Sequence, residues 1–193
     1  MALRIIKRTG DPLFGKCWEI YNYSFPEHKR RSLEEIKALI EYNPKKYFFC
    51  ALIKQHPCFT RHKKGYCLSG DNSRTENVVG MLSFWDLAFG TLIENFAVNF
   101  IYKGMGIGSR CMKRIQEKYA GNDKALMADL FFNDVVHKAK AEAFYGELGF
   151  EKNYLPGCDI MSWPRKITDE EFGMVKGKIP VRPEGVRSES PLS

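Results

Sequence analysis

Apolar and polar positions along the chain repeat with two different periods. Leu3 to Lys7 (L-R-I-I-K) is a short β-branched run that predicts a first strand. Between Pro12 and Tyr23, apolar residues fall at Leu13, Phe14, Trp18 and Tyr21, a helical stripe that stops near Pro26. Ser32 followed by Glu35 is a capping-box signature. The helix behind it repeats Leu33, Ile36, Leu39 and Ile40 on one face and ends before Pro44. Tyr47 to Ile53 (Y-F-F-C-A-L-I) has no polar interruption and predicts a buried strand.

A polar, basic stretch rich in turn formers, residues 55–77, then separates two apolar runs and reads as a long inserted hairpin loop. Val78–Trp85 and Leu92–Val98 are the next strands, joined near Gly90. A glycine-studded turn, Lys103–Gly108, leads into a helix from about Ser109 to Tyr119. Ala125–Phe131 predicts a strand, Lys138–Leu148 a helix, and Phe150–Trp163 two short strands around Pro156-Gly157. Thr168 opens a last short helix, and residues 178–193 are expected to form a flexible tail. The order β-α-α-β-β-β-α-β-α-β describes one α+β domain over residues 1–177, built on a mixed sheet.

Composition narrows the function classes. Apolar residues make up 44% of the 193, enough for a real core, so whole-chain disorder is excluded. The longest uncharged apolar run is far below the ~18 residues of a membrane span, and Arg4, Lys7 and Arg8 interrupt any signal-like stretch. A cytoplasmic protein that avoids membranes is expected. A net charge of +7 invites an anionic partner without naming it. The six cysteines show no tight pairing pattern and read as reduced thiols.

The chemistry concentrates where the strand Leu92–Val98 runs through Asn99–Tyr102 into Lys103-Gly104-Met105-Gly106-Ile107-Gly108-Ser109. Glycines at alternate positions let successive backbone N–H groups converge into an anion nest at a helix N-terminus. Lys103 adds positive charge, and a diphosphate suits such a nest. The alternative is that these glycines serve only tight strand-to-helix packing. The spacing is neither that of a nucleotide-hydrolase P-loop nor that of a dinucleotide fold.

Val98, Tyr102-Lys103 and G-x-G-I-G together resemble the acetyl-CoA signature V-x-x-x-[YF]-[RKQ]-G-x-G-[IL]-G of the GNAT superfamily of N-acetyltransferases. Asn99-Phe100 depart from it in the loop. Ala141–Phe150 (A-E-A-F-Y-G-E-L-G-F) resembles the superfamily's A-x-x-[LF]-Y-x-x-x-G-F helix end, with Gly149 as a C-cap. Ser24–Glu27 with Arg30-Arg31 resembles the first helical connection of a bacterial GNAT branch. The resemblance implies a mostly antiparallel mixed sheet flanked by helices. It also implies a splayed strand pair that holds acetyl-CoA, and acetyl transfer to a primary amine of a small molecule or peptide. Phe96, Ala97 and Val98 would then pair with the pantetheine arm, and Lys103 to Ser109 would hold the diphosphate.

By the same resemblance, Tyr145 is the acid that protonates the leaving thiolate; without the motif it reads as a core tyrosine. Glu94, placed by a period of two on the face of Phe96 and Val98, is the candidate base or amine-holding group. The bland reading of Glu94 is a pair with a nearby Lys or Arg. Asp129 is the reserve base. Phe25 and Arg30 are placed at the acceptor, where Arg30-Arg31 would meet a carboxylate or phosphate. Lys138 stands where many members carry an Asn that bonds the pantetheine; it reaches a CoA phosphate or sits in solvent.

Within the insertion, His56, Cys58, His62 and Cys67 follow no zinc-finger spacing, so no metal is expected. Arg61, Lys63 and Lys64 with Phe59 and Tyr66 are too sparse a set to imply nucleic acid. Two classes stay open: an N-acetyltransferase, and an acetyl-CoA-binding regulatory module without turnover. A homodimer through an edge strand is also open.

Overall fold

The uninterrupted apolar run that starts at Tyr47 forms strand β2 (Tyr47–Gln55), buried on both faces because helices cover both sides of the sheet. Phe49, Ala51 and Ile53 face one apolar cluster, and Cys50 and Leu52 face the other side. A computed structural model of the protein describes residues 2–55, 76–119, 123–130, 135–153 and 159–178. Residues 56–75 of the insertion, the Pro156-Gly157 turn and the chain beyond 178 lie outside the described residues.

The remaining strands are β1 (Ala2–Ile6), β3 (Glu76–Leu87), β4 (Gly90–Val98), β5 (Ala125–Asp129), β6 (Glu151–Lys152) and β7 (Ile160–Trp163). They form one seven-stranded sheet in the order β1-β2-β3-β4-β5-β7-β6. Among the described strands only the β4–β5 pair is parallel. The expected α+β architecture on a mixed, mostly antiparallel sheet is therefore what the chain adopts.

Helices α1 (Phe14–Ser24) and α2 (Leu33–Tyr42) cover one face together with α5 (Asp169–Lys178). Helices α3 (Ile107–Tyr119) and α4 (Val135–Glu147) cover the other. The box at the start of α2 forms as expected: Ser32 Oγ accepts from Glu35 N at 3.1 Å, and Ser32 N donates to Glu35 Oε2 at 2.7 Å. Helix α3 begins two residues earlier than its sequence predicts, because Ile107 already packs inward against Leu52 and Val79. Helix α4 stops where Gly149 takes a left-handed φ of 82°, and Phe150 N closes back on Tyr145 O at 3.0 Å. No described helix is long and apolar enough to cross a membrane.

A second capping box starts α5. Thr168 N donates to Glu171 Oε2 at 2.9 Å, and Thr168 Oγ1 accepts from Glu171 N at 3.2 Å. The same carboxylate takes a two-pronged contact from Arg165, at 2.9 Å and 2.6 Å. The hydrogen bond from Arg165 is the main cause that holds the Glu171 carboxyl below its ordinary value of 4.5. A carboxyl with a lowered folded value contributes stability above pH 4.5 and loses it as pH falls through the folded value. Glu171→Gln should cost about 1 kcal/mol at pH 7, with half-exposed Arg165 limiting the gain. That cost should shrink as pH falls below 4.5 and through the folded value, as measured by urea unfolding across pH.

Candidate active site

Strand β4 hydrogen-bonds to β5 only from Gly90 to Ile93, opposite Ala125 to Ala128. Beyond Ile93 the two strands part, while β4 stays paired with β3 as far as Val98. The β3–β4 ladder carries a bulge at the same place. Ser83 faces Asn95 and Phe84 faces Ile93, which leaves Glu94 as the extra residue. A bulge bends its strand and increases the local twist, so it carries β4 away from a neighbour.

A cavity of about 380 Å³ opens in the fork. β4 contributes Ile93 to Phe96 and Val98, β5 contributes Asp129, and the segment after α1 contributes Phe25 and Pro26. Helix α4 supplies Lys140, Ala141, Phe144 and Tyr145, while Lys103 and Gly108 come from the glycine turn. The fold thus brings Glu94, Asp129, Tyr145, Phe25, Phe96, Val98, Lys103 and Gly108 to one place.

The bulge also resets which face each β4 residue takes. Leu92 and Ala97, five apart, share the α1–α2 face, whereas Ile93 and Phe96 face α3 and α4. The period-of-two count that put Glu94 with Phe96 and Val98 is therefore corrected: its carboxylate turns to Arg31. Glu94 Oε1 accepts from Arg31 Nη2 at 2.5 Å and Nε at 3.1 Å, with both side chains almost wholly buried. Burial works against the Arg31 charge, but the charge and hydrogen bond of Glu94 outweigh it and hold the guanidinium above its ordinary value. The backbone N–H of Arg31 donates to Tyr21 Oη at 2.8 Å, tying this residue to α1. Burial, then the neighbouring Glu94 charge, pushes the Tyr47 phenol well up. Next to Glu94, Asn95 Nδ2 donates to Ser83 Oγ across the ladder at 2.9 Å.

Arg30 takes the opposite course. Its Nη1 donates to Asn22 Oδ1 at 2.6 Å, folding it back on α1, and it does not line the cavity. The sequence offered two adjacent arginines and no signal to tell them apart. Lys138 forms an ion pair with Asp159. Ala141 and Phe144, motif positions to which the sequence assigns no site role, also line the cavity; Ala141 sits one helical turn before Tyr145 and so shares its face.

In the glycine turn, Gly104 and Gly106 have φ of 79° and 65°, a region L-residues rarely adopt. Gly108 is helical, and a β-carbon there would make only ordinary contact with the Phe144 ring at 3.5 Å. Met105 N closes on Tyr102 O and Arg110 N on Gly106 O. Helix geometry leaves the first-turn N–H groups of Ile107, Gly108 and Ser109 without intrahelical acceptors. Lys103, Gly104, Met105 and Gly106 are exposed, while Ala97 is buried on the α1 side against β3.

Tyr145 is buried, edge-on to Phe150 with ring centroids 5.1 Å apart. Burial, then the Asp129 charge and Cys111, pushes its phenol up. Among the described residues no group of three or more His, Cys, Asp or Glu side chains is placed to hold a metal; the four insertion residues weighed for zinc lie outside them.

The Arg31–Glu94 pair yields a sharp outcome. Arg31→Met leaves a buried carboxylate without its cation and should cost about 3–5 kcal/mol. The double variant Arg31→Met, Glu94→Leu should recover most of that loss in urea unfolding, because it removes both charges. Equal stability of the single and double variants would show that the pair does not fix Glu94.

Comparison with known proteins places this geometry. A family model described as an acetyltransferase (GNAT) domain matches residues 63–152. No curated protein matches the sequence. Among solved structures, one assigned to the GNAT acetyltransferase family from Bacteroides thetaiotaomicron is similar with a TM-score of 0.65 at 18% identity, covering 92% of this chain and 95% of that one. An aminoglycoside 6'-N-acetyltransferase complexed with coenzyme A gives 0.51 at 14% identity, over 86% of this chain and 100% of that one. Tetrahymena GCN5 gives 0.51 at 15% identity, over 88% and 89%. With the sheet, the fork and the glycine turn in place, the chain has the fold of these solved acetyltransferases, and its residues 63–152 match the GNAT acetyltransferase domain.

Proposed function

We propose that the protein is an N-acetyltransferase that moves the acetyl group of acetyl-CoA to a primary amine of a small molecule or peptide. The observation that carries this reading is the fork. β4 loses β5 after Ile93, and the cavity opened there has Tyr145, Glu94 and Asp129 on its walls and borders the glycine turn. The residues fit the co-substrate. β4 beyond Ile93 offers a strand edge to an extended amide-bearing arm, and the turn offers convergent N–H groups with Lys103 beside them to a diphosphate. Bound acetyl-CoA supplies an activated thioester; the chain does the rest.

The amine nitrogen forms a bond to the acetyl carbon as the carbon–sulfur bond breaks. Tyr145 gives its phenolic proton to the departing sulfur and regains one from solvent. A phenol is protonated at neutral pH, and burial, then the Asp129 charge, holds this one above its ordinary value, so the proton passes only as the sulfur takes on charge. Glu94, fixed by Arg31, holds the amine in the fork, and Asp129 takes the proton the amine sheds. Phe25 and Pro26 exclude water from the acceptor side.

Three measurements test this. A thiol-release screen with acetyl-CoA over a broad amine panel should find turnover; tight acetyl-CoA binding with no turnover on any amine would leave the regulatory-module reading. Tyr145→Phe should lower kcat ~10²-fold with an unchanged KM for acetyl-CoA, and an unchanged rate would remove Tyr145 from the reaction. Gly106→Val puts a β-branched residue at positive φ and should abolish acetyl-CoA binding in calorimetry. Retained micromolar affinity would displace the diphosphate from this turn.

A further inference from the structure

A second cavity, of about 430 Å³, stands beside the first. Tyr23 and Ser24 line it, the next two residues, Phe25 and Pro26, line the first, and Lys103 lines both. Its buried side is Ile20 and Val78. Tyr23 and Phe100 approach each other with ring centroids 6.5 Å apart, yet they are 85% and 67% exposed.

Phe100 does not hang there by chance of a loose loop. Asn99 N donates to Val79 O on β3, Asn99 Oδ1 accepts from Ile101 N, and Lys103 N closes on Phe100 O. This turn is hydrogen-bonded to the sheet and holds an apolar ring in water beside a second ring. Adjoining exposed aromatic side chains beside a concave site mark a surface that is covered in use. Lys16 and Lys103 oppose the single carboxylate of Glu19, so the lining is net positive.

We propose that this second cavity is a distal acceptor subsite, which takes a flat apolar group carrying a negative charge while the acceptor's amine lies in the fork. The inference rests on the acetyltransferase reading for the amine end. The aromatic wall takes the ring, Lys16 takes the charge, and the shared boundary at Ser24-Phe25 and Lys103 carries the acceptor from one cavity into the other. Substrate choice would then be set by α1 and the 99–103 turn, outside the reacting centre.

The full chain is assayed with acetyl-CoA on the peptides Gly-Gly-Phe, its C-terminal amide and Gly-Gly-Ala, with glycinamide as a short amine, and peptide binding is followed by calorimetry. Gly-Gly-Phe should exceed both other peptides ~10-fold in kcat/KM. Tyr23→Ala should bring it down to the Gly-Gly-Ala level. Lys16→Glu should bring it down to the level of the amide, less so at high salt. Neither variant should alter the rate on glycinamide or the KM for acetyl-CoA. Equal kcat/KM across the three peptides, or a Tyr23→Ala loss shared by glycinamide, overturns the subsite. Binding of Gly-Gly-Phe that depends on Tyr23 and Lys16 without turnover on any amine keeps the subsite and rejects the enzyme; neither binding nor turnover rejects both.

Discussion

Strand β4 has two neighbours for its first four residues and one for the rest, and everything proposed for this protein depends on that loss. Where β5 leaves, β4 keeps its ladder to β3 but presents its other edge to the fork. An edge inside a folded protein is normally covered or paired, since bare N–H and C=O groups are costly once out of water. A cavity at such an edge suits a ligand that behaves as a strand. The bulge at Glu94 supplies the bend at the residue where pairing ends, so one irregularity both opens the fork and aims a carboxylate.

That carboxylate is held by a device spanning three elements. Arg31 follows the short turn after α1, donates its backbone N–H to the phenol oxygen of Tyr21, and delivers its guanidinium to Glu94 on β4. Burying two charges gives little net stability compared with a packed apolar pair. Its value here is geometric: it fixes the segment after α1, Phe25 and Pro26 included, against the splayed strand. The Tyr145 side is held differently, by aromatic packing against Phe150 and by the left-handed stop at Gly149. One wall of the fork is thus set by ionic contact and the other by apolar contact.

The three turn glycines differ in conformation. Gly104 and Gly106 give the backbone a sign of φ that other residues resist, while Gly108 lies in the first turn of α3 beside Phe144. Phe144 in turn stacks toward Phe96 at 6.1 Å, so the turn, α4 and the free part of β4 are mechanically joined.

Local chemistry was readable from the sequence wherever it depended on near neighbours in the chain. The Ser32–Glu35 and Thr168–Glu171 boxes, the buried run of β2, the left-handed Gly149 and the glycine turn all follow from spacing, because caps, strand periods and positive-φ positions are decided within a few residues. Tyr145 lines the fork from its helix-end motif, whereas an alternating count on β5 leaves the direction of Asp129 open and the tertiary structure puts it on the cavity wall. Tertiary structure alone decided the face of Glu94, since a bulge depends on how two strands register and erases a period-of-two count. It also decided that Arg31 goes inward while Arg30 folds onto Asn22, and that Lys138 meets Asp159. Those partners lie 63, 8 and 21 residues away along the chain, and only packing brings the more distant of them into reach.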